Sequence, residues 1–202
     1  MAKGRRSGGR VSTPAEHALL GLLAMGEDEP GDGQGSGYGY DLARHFADGQ
    51  PLAEVLRLEP GMLYHHLKKL AGAGWVGAMA EDLPGRPTRR LYALTPAGRA
   101  ELDRWLREPV AHTREIRLEF LVKLFFVRLL EPALAQPLVD GQRAVLERLV
   151  ASLRGQLAGL DGQDPADAAY RRLVLELRLA QTEAAVAWLG RVGGVEPPRT
   201  GR

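Results

Sequence analysis

Tyr64, His65, Lys68 and Lys69 crowd into one short stretch, and Arg86, Thr88, Arg89 and Arg90 into the next motif along the chain. The two sets consist of cations, hydrogen-bond donors and one aromatic ring. Such groups recognise a polyanion: lysine meets guanine edges or phosphate, and the arginine fork fits phosphate oxygens or a narrow minor groove. The expected arrangement puts Tyr64, His65, Lys68 and Lys69 in a major groove. Arg86, Arg89 and Arg90, with Thr88 among them, would hold the backbone beside it.

Bond-making chemistry finds little support. The chain has no cysteine, which removes disulfides, thiolate metal sites and a cysteine nucleophile. No Ser-His-acid order or paired-carboxylate motif stands in a credible context. His65 and His66 are adjacent, so on a helix they diverge by about 100° and do not share one metal well. Gly35, Gly37 and Gly39 have the look of a phosphate loop, but no preceding strand, loop lysine or ribose-binding acid accompanies them. Neither an enzyme, a cofactor nor a metal is expected. The rival to nucleic-acid binding is a protein-protein interaction adaptor, whose basic helix meets an acidic partner without sequence specificity.

Charge distribution favours the nucleic acid. The formal net charge is only +2, yet between Arg57 and Arg99 seven Lys or Arg face three acids, Glu59, Glu81 and Asp82. Residues 100–202 carry fifteen basic and fourteen acidic side chains, and Lys3, Arg5, Arg6 and Arg10 make the amino-terminal end positive. Positive charge thus collects where phosphates would lie. No apolar run approaches the roughly 20 residues of a membrane span. The expected location is cytoplasmic, nucleoid-associated when bound to DNA.

The elements that must position these residues can be read in order. Residues 1–11 read as a disordered basic arm. Thr13-Pro14-Ala15-Glu16 is a capping box that starts a helix to about Met25, burying Ala18, Leu19, Leu22 and Leu23. The glycine-rich stretch 26–37 reads as a loop, and Tyr38 to Ala47 as a second helix ended at Asp48-Gly49. A third helix runs from Pro60 to about Ala73, with Leu63, Leu67 and Leu70 toward the core and the Tyr64, His65, Lys68 and Lys69 side outward. Trp75–Ala80 and Arg89–Leu94 read as strands around a turn stiffened by Pro84, Gly85 and Pro87, with Arg86 at its tip. Thr95-Pro96 caps a fourth helix, and Pro109 closes the module. Helix, strand, basic turn, strand is the pattern of a winged helix.

At the level of residues, Leu58-Glu59-Pro60-Gly61-Met62-Leu63-Tyr64-His65-His66-Leu67-Lys68-Lys69-Leu70 resembles the recognition-helix signature of the PadR family of bacterial transcriptional regulators. Gly85-Arg86-Pro87, with Arg90-Leu91-Tyr92-Ala93-Leu94-Thr95-Pro96-Ala97-Gly98-Arg99, resembles that family's wing and following helix. Gly37-Tyr38-Gly39-Tyr40-Asp41-Leu42, Trp105-Leu106-Arg107-Glu108-Pro109 and Glu119-Phe120-Leu121-Val122-Lys123-Leu124-Phe125-Phe126 are similar to its second-helix start, its junction and the beginning of its C-terminal part. Together the matches cover about residues 17 to 130. The sequence departs from the family at Glu59, where serine is usual and a carboxylate could still cap the helix. The loop at 26–37 is also longer, either idle or a partner contact. The resemblance implies a repressor released by a small effector that changes the angle between two DNA-reading heads.

The C-terminal half is helical by periodicity: near Arg114 to Leu130, from about Pro132 to Leu160, and from Asp164-Pro165 through Trp188. On the last helix Leu173, Leu177, Ala180, Ala184 and Trp188 form a seam that wants a partner helix. The expectation is a homodimer, as the resemblance also implies, with recognition helices about 34 Å apart on a roughly palindromic operator. Trp105, Phe125, Phe126 and Trp188 are candidates to line an effector pocket, against the plainer reading that they pack the core. The fold expected is mainly α: a winged helix-turn-helix with a small β-hairpin wing over 12–109, and an all-α dimerisation domain over 110–192. Residues 193–202 read as a disordered tail.

Overall fold

The first helix begins where the capping box requires. In the computed structural model, Thr13 N–H donates to Glu16 Oε2 at 3.2 Å, and Glu16 N–H donates to Thr13 Oγ1 at 3.3 Å. The structure describes residues 13–27, 37–81, 89–161 and 165–192. Helix α1 (Pro14–Glu27) is not amphipathic as expected: Ala15 through Ala24 are all buried. It packs on its neighbours α2 (Gly39–Arg44), α3 (Pro60–Gly72), β2 (Arg89–Leu94), α4 (Pro96–Arg107) and α6 (Leu121–Leu130). A helix surrounded on every side has no solvent face along this stretch, so its two buried polar residues, Glu16 and His17, must find partners inside.

Helix α2 is shorter than the Tyr38–Ala47 expected, its continuation being turns up to Gly49, whose φ of +84° suits glycine. Strand β1 (Val76–Glu81) pairs antiparallel with β2, from Val76 opposite Leu94 to Glu81 opposite Arg89. Tyr38 bridges Leu91, and Tyr92 N–H donates to Gly37 O at 2.7 Å, so the start of α2 is sewn to the hairpin. Thr95 caps α4 by accepting from Gly98 N–H at 3.1 Å, and its hydroxyl donates to Gly74 O at 2.7 Å. The exit of α3 and the entry of α4 are thereby held together.

Beyond α4, the helix expected near Arg114 to Leu130 is broken in character. Three residues of α5 (Thr113–Glu115) lead into a π-helical turn over Ile116–Phe120 and then α6. A five-residue hydrogen-bond step cannot be told from a four-residue one by apolar spacing. A 3₁₀ turn at Pro132–Leu134 leads to α7 (Ala135–Ala158), and α8 (Pro165–Val192) returns antiparallel along it. Gln142 of α7 is buried and grips the connecting segment twice: Val110 N–H donates to its Oε1 at 2.7 Å, and its Nε2 donates to Val110 O at 3.0 Å. One apolar core runs from α1 to Val192, while Leu153, Leu160, Ala168 and Leu175 form a separate cluster toward the far end of the α7–α8 pair. The fold is mainly α, a winged helix with a two-stranded hairpin and a C-terminal helical region. No described helix is long and apolar enough to cross a membrane.

Candidate nucleic-acid interface

Helix α3 begins at Pro60, whose fixed φ suits the first helical position. Glu59 precedes it in extended conformation, and its carboxylate, which could have capped the helix, makes no side-chain cap. Leu63, Leu67 and Leu70 are buried as expected, and they fix which arc faces outward. At 100° per residue, Tyr64, Lys68 and His65 share an arc of about 100° on the opposite side. All three are exposed, Tyr64 by 48%. Met62 is 49% exposed beside them and was not among the expected site residues.

Lys69 departs from expectation. It lies on the flank of α3, one turn from His66, and its ammonium forms an ion pair with Glu16 Oε1 at 2.5 Å. His66 is buried and its Nδ1 stands 3.1 Å from the same oxygen. Lys69 is therefore drawn inward, its side chain 31% exposed, because a carboxylate that is 2% exposed needs a cation within reach. Nothing in the spacing of α3 announces this. The signal lies fifty residues upstream, in an acid on a helix that turns out to be central.

The wing is described in part. Arg90 is exposed on β2. Arg89 has its backbone in β2, whereas the expected contacts Arg86 and Thr88 lie outside the described residues. Tyr64 is steered by Gly39 at the start of α2: a Cβ built there would come within 2.5 Å of the Tyr64 ring. Gly39 thus serves close packing on Tyr64, which accounts for one of the glycines that mimic a phosphate loop.

Residues 33–104 match the Transcriptional regulator PadR-like family, and residues 116–193 match the family Virulence activator alpha C-term. The chain carries a PadR-like transcriptional-regulator domain. A probable transcriptional regulator of Mycobacterium tuberculosis is 29% identical over 170 residues, which span 76% of this chain and 87% of the relative. The negative transcriptional regulator PadR of Bacillus subtilis is 27% identical over 142 residues, 69% of this chain and 71% of that one. The crystal structure of Bacillus subtilis PadR in complex with operator DNA aligns with 88% of this chain and 95% of its own at 25% identity, with a TM-score of 0.40.

The four aromatics named as candidates for an effector pocket join one core. Trp105 is 3% exposed and stacks on His17 with ring centres 4.3 Å apart; its Nε1 donates to Glu119 Oε1 at 2.9 Å. Phe126 is fully buried with Phe125 edge-on against it, and Trp188 meets Phe120 edge-on at 6.2 Å. Trp188 leaves the expected seam for the core. A shallow groove of about 360 Å³ lies elsewhere, between α7 and α8, lined by Val150, Ala151, Val186 and Ala187 with Glu147, Arg154 and Glu183.

Burial pushes His17 below its ordinary pKa, against the opposing pull of Glu101, whose Oε1 is 3.1 Å from Nε2. Burial alone would raise Glu101, but hydrogen bonds from Arg104 and His17 bring it below the ordinary carboxylate value. The signs agree. With its folded pKa held below the unfolded value near 6.5, His17 makes a contribution that is complete above that pH and is lost as pH falls below it. Glu101 adds a loss at lower pH, below about 4.5. Thermal unfolding at pH 7.5 and 5.5 should show a lower Tm at the acid end, and His17→Gln should remove much of that dependence. An equally steep fall in the variant would assign it to another group.

Proposed function

We propose that this transcriptional regulator is a sequence-specific repressor that acts as a homodimer on a roughly palindromic operator and is released by a small effector. We take residues 12–109 as the reading head and 110–192 as the dimerising arm. Tyr64, His65 and Lys68 enter the major groove, and Arg86, Thr88, Arg89 and Arg90 hold the backbone beside it. One observation carries the reading: Tyr64, His65 and Lys68 are all exposed on the outward arc of α3, while the helix packs on α1, α2 and β1. The repressive sign is favoured by the relative named a negative transcriptional regulator.

Dimerisation is favoured by α8. Tyr170, Leu173, Leu177, Ala180, Ala184 and Ala187 recur at steps of three and four, and all are exposed. The large side chains occupy the first half of this stripe and the alanines the second. Antiparallel pairing of two copies about Ala180 sets Leu173 of one against Ala187 of the other, and Leu177 within one residue of Ala184. The groove between α7 and α8 lies at the alanine end, where the incoming leucines need room. Selection of bound sequences from random duplexes with the full chain tests the whole reading. A two-fold related motif is expected, and Tyr64→Ala and Lys68→Ala should each cost about 1–3 kcal/mol on it if they meet base edges. Enrichment of no sequence would leave an adaptor without specificity as the better account.

A further inference from the structure

A leucine-on-leucine contact fixes a helix in depth more firmly than in rotation, because apolar contacts carry no direction. Helix α3 packs on α1, and Leu63, Leu67 and Leu70 join the core that α1 shares, yet a buried carboxylate also links the two helices. Glu16 uses both oxygens. Oε2 closes the capping box of its own helix, and Oε1 faces His66 Nδ1 at 3.1 Å and Lys69 Nζ. His66 and Lys69 are three positions apart on one flank of α3, just outside the arc that carries Tyr64, His65 and Lys68. A clamp on that flank resists roll. Roll is what a DNA-reading helix must control: turning α3 by 10° moves a lysine tip by about 1.5 Å, several times the tolerance of a hydrogen bond.

The next residue faces the other way. His17 hydrogen-bonds Glu101 and stacks on Trp105 of α4. Trp105 in turn donates to Glu119 in the π-helical turn, and Lys123 lies 5.0 Å from the Trp105 ring centre while donating to Glu108 O at 2.6 Å. Two sets of contacts therefore meet in the first turn of α1, Glu16 reaching α3 and His17 reaching α4 and the root of the C-terminal helices, joined to each other through the backbone of that turn. We propose that Glu16 is a positioning residue for DNA reading, setting the roll of α3 through His66 and Lys69, while His17 refers that roll to the C-terminal helices. This rests on the DNA-reading role proposed above.

The test compares the full chain with Glu16→Gln, each titrated with the selected duplex and with a scrambled duplex of equal length at several salt concentrations. Glutamine keeps the shape and loses the negative charge that pairs with Lys69. The expected result is a loss of about tenfold in the ratio of the two affinities, with the salt slope unchanged, since no phosphate contact is removed. An unchanged ratio in the folded variant overturns the proposal, even if its Tm has dropped, because a purely structural carboxylate would leave the folded molecule's selectivity alone. Should Glu16→Gln fail to fold, Lys69→Met takes its place. Lost selectivity at constant slope supports the clamp. An equal loss on both duplexes, with the slope reduced by about one, makes Lys69 a phosphate contact and overturns it. Failure of the wild-type chain to select any sequence sinks the DNA-reading role itself, and is seen before any variant is measured.

Discussion

Replacing Leu173 and Leu177 together by glutamate should yield a folded monomer whose affinity for a two-half-site operator is at least about a hundredfold weaker. The two leucines are 64% and 60% exposed on a helix whose other side is already packed against α7. Burying a leucine fully contributes about 1.5–3 kcal/mol, and a two-fold interface counts every position twice. Four leucines exchanged for four like charges across a small seam exceed what the remaining contact can offset. The cost to folding of one chain should be slight, because neither side chain belongs to a core cluster. Sedimentation at micromolar concentration reads the association. Titration with whole and half operators separates lost bivalency from damage to the reading head, since half-site affinity should be unchanged. A double variant that still sediments as a dimer would refute the α8 seam, while leaving α3 as the reading helix.

Gly98→Ala is expected to lower stability by about 3 kcal/mol or more, near the upper end of overpacking costs. Gly98 lies in the first turn of α4, and a Cβ there would stand 2.0 Å from the carbonyl oxygen of Trp75. The obstacle is backbone, so no rotamer change relieves it. Moving it would break the Thr95 N–H to Trp75 O bond of 3.1 Å and the Thr95 link to Gly74. A fall in Tm of about 6–12 °C follows for a chain of this length. Gly155→Ala supplies the opposite sign: Gly155 is exposed within α7 with nothing near its Cβ, so alanine should stabilise by about 0.5–1 kcal/mol. If Gly98→Ala unfolds at the wild-type temperature, the close approach of α4 to the Trp75 backbone, just before β1, is wrong.

Much of the winged helix was legible because its signals are local. Proline after a break, leucines at steps of four and three, and Thr95-Pro96 each act within one or two turns, and they set α3, the hairpin and α4 to within a residue or two. The outward arc holding Tyr64, His65 and Lys68 follows from the same leucines. The rest of the expected contacts divide by cause. Lys69 was assigned outward because its partner Glu16 is distant in sequence, and proximity of the two is created only when α1 and α3 pack. Trp188 was placed on the seam by spacing alone, although Phe120 draws it inward and Ala187 continues the exposed stripe.

By itself, the amino-acid order determined the elements, their apolar faces and the clustering of positive charge around α3 and the hairpin, because periodicity and capping are properties of neighbouring residues. Only the tertiary structure decided that α1 is enclosed on every side, that Glu16 and His17 therefore bind inward in two directions, and that Trp105, Phe125, Phe126 and Trp188 pack with the core. Those outcomes depend on which distant surfaces meet, and a buried polar group takes whatever partner that meeting supplies.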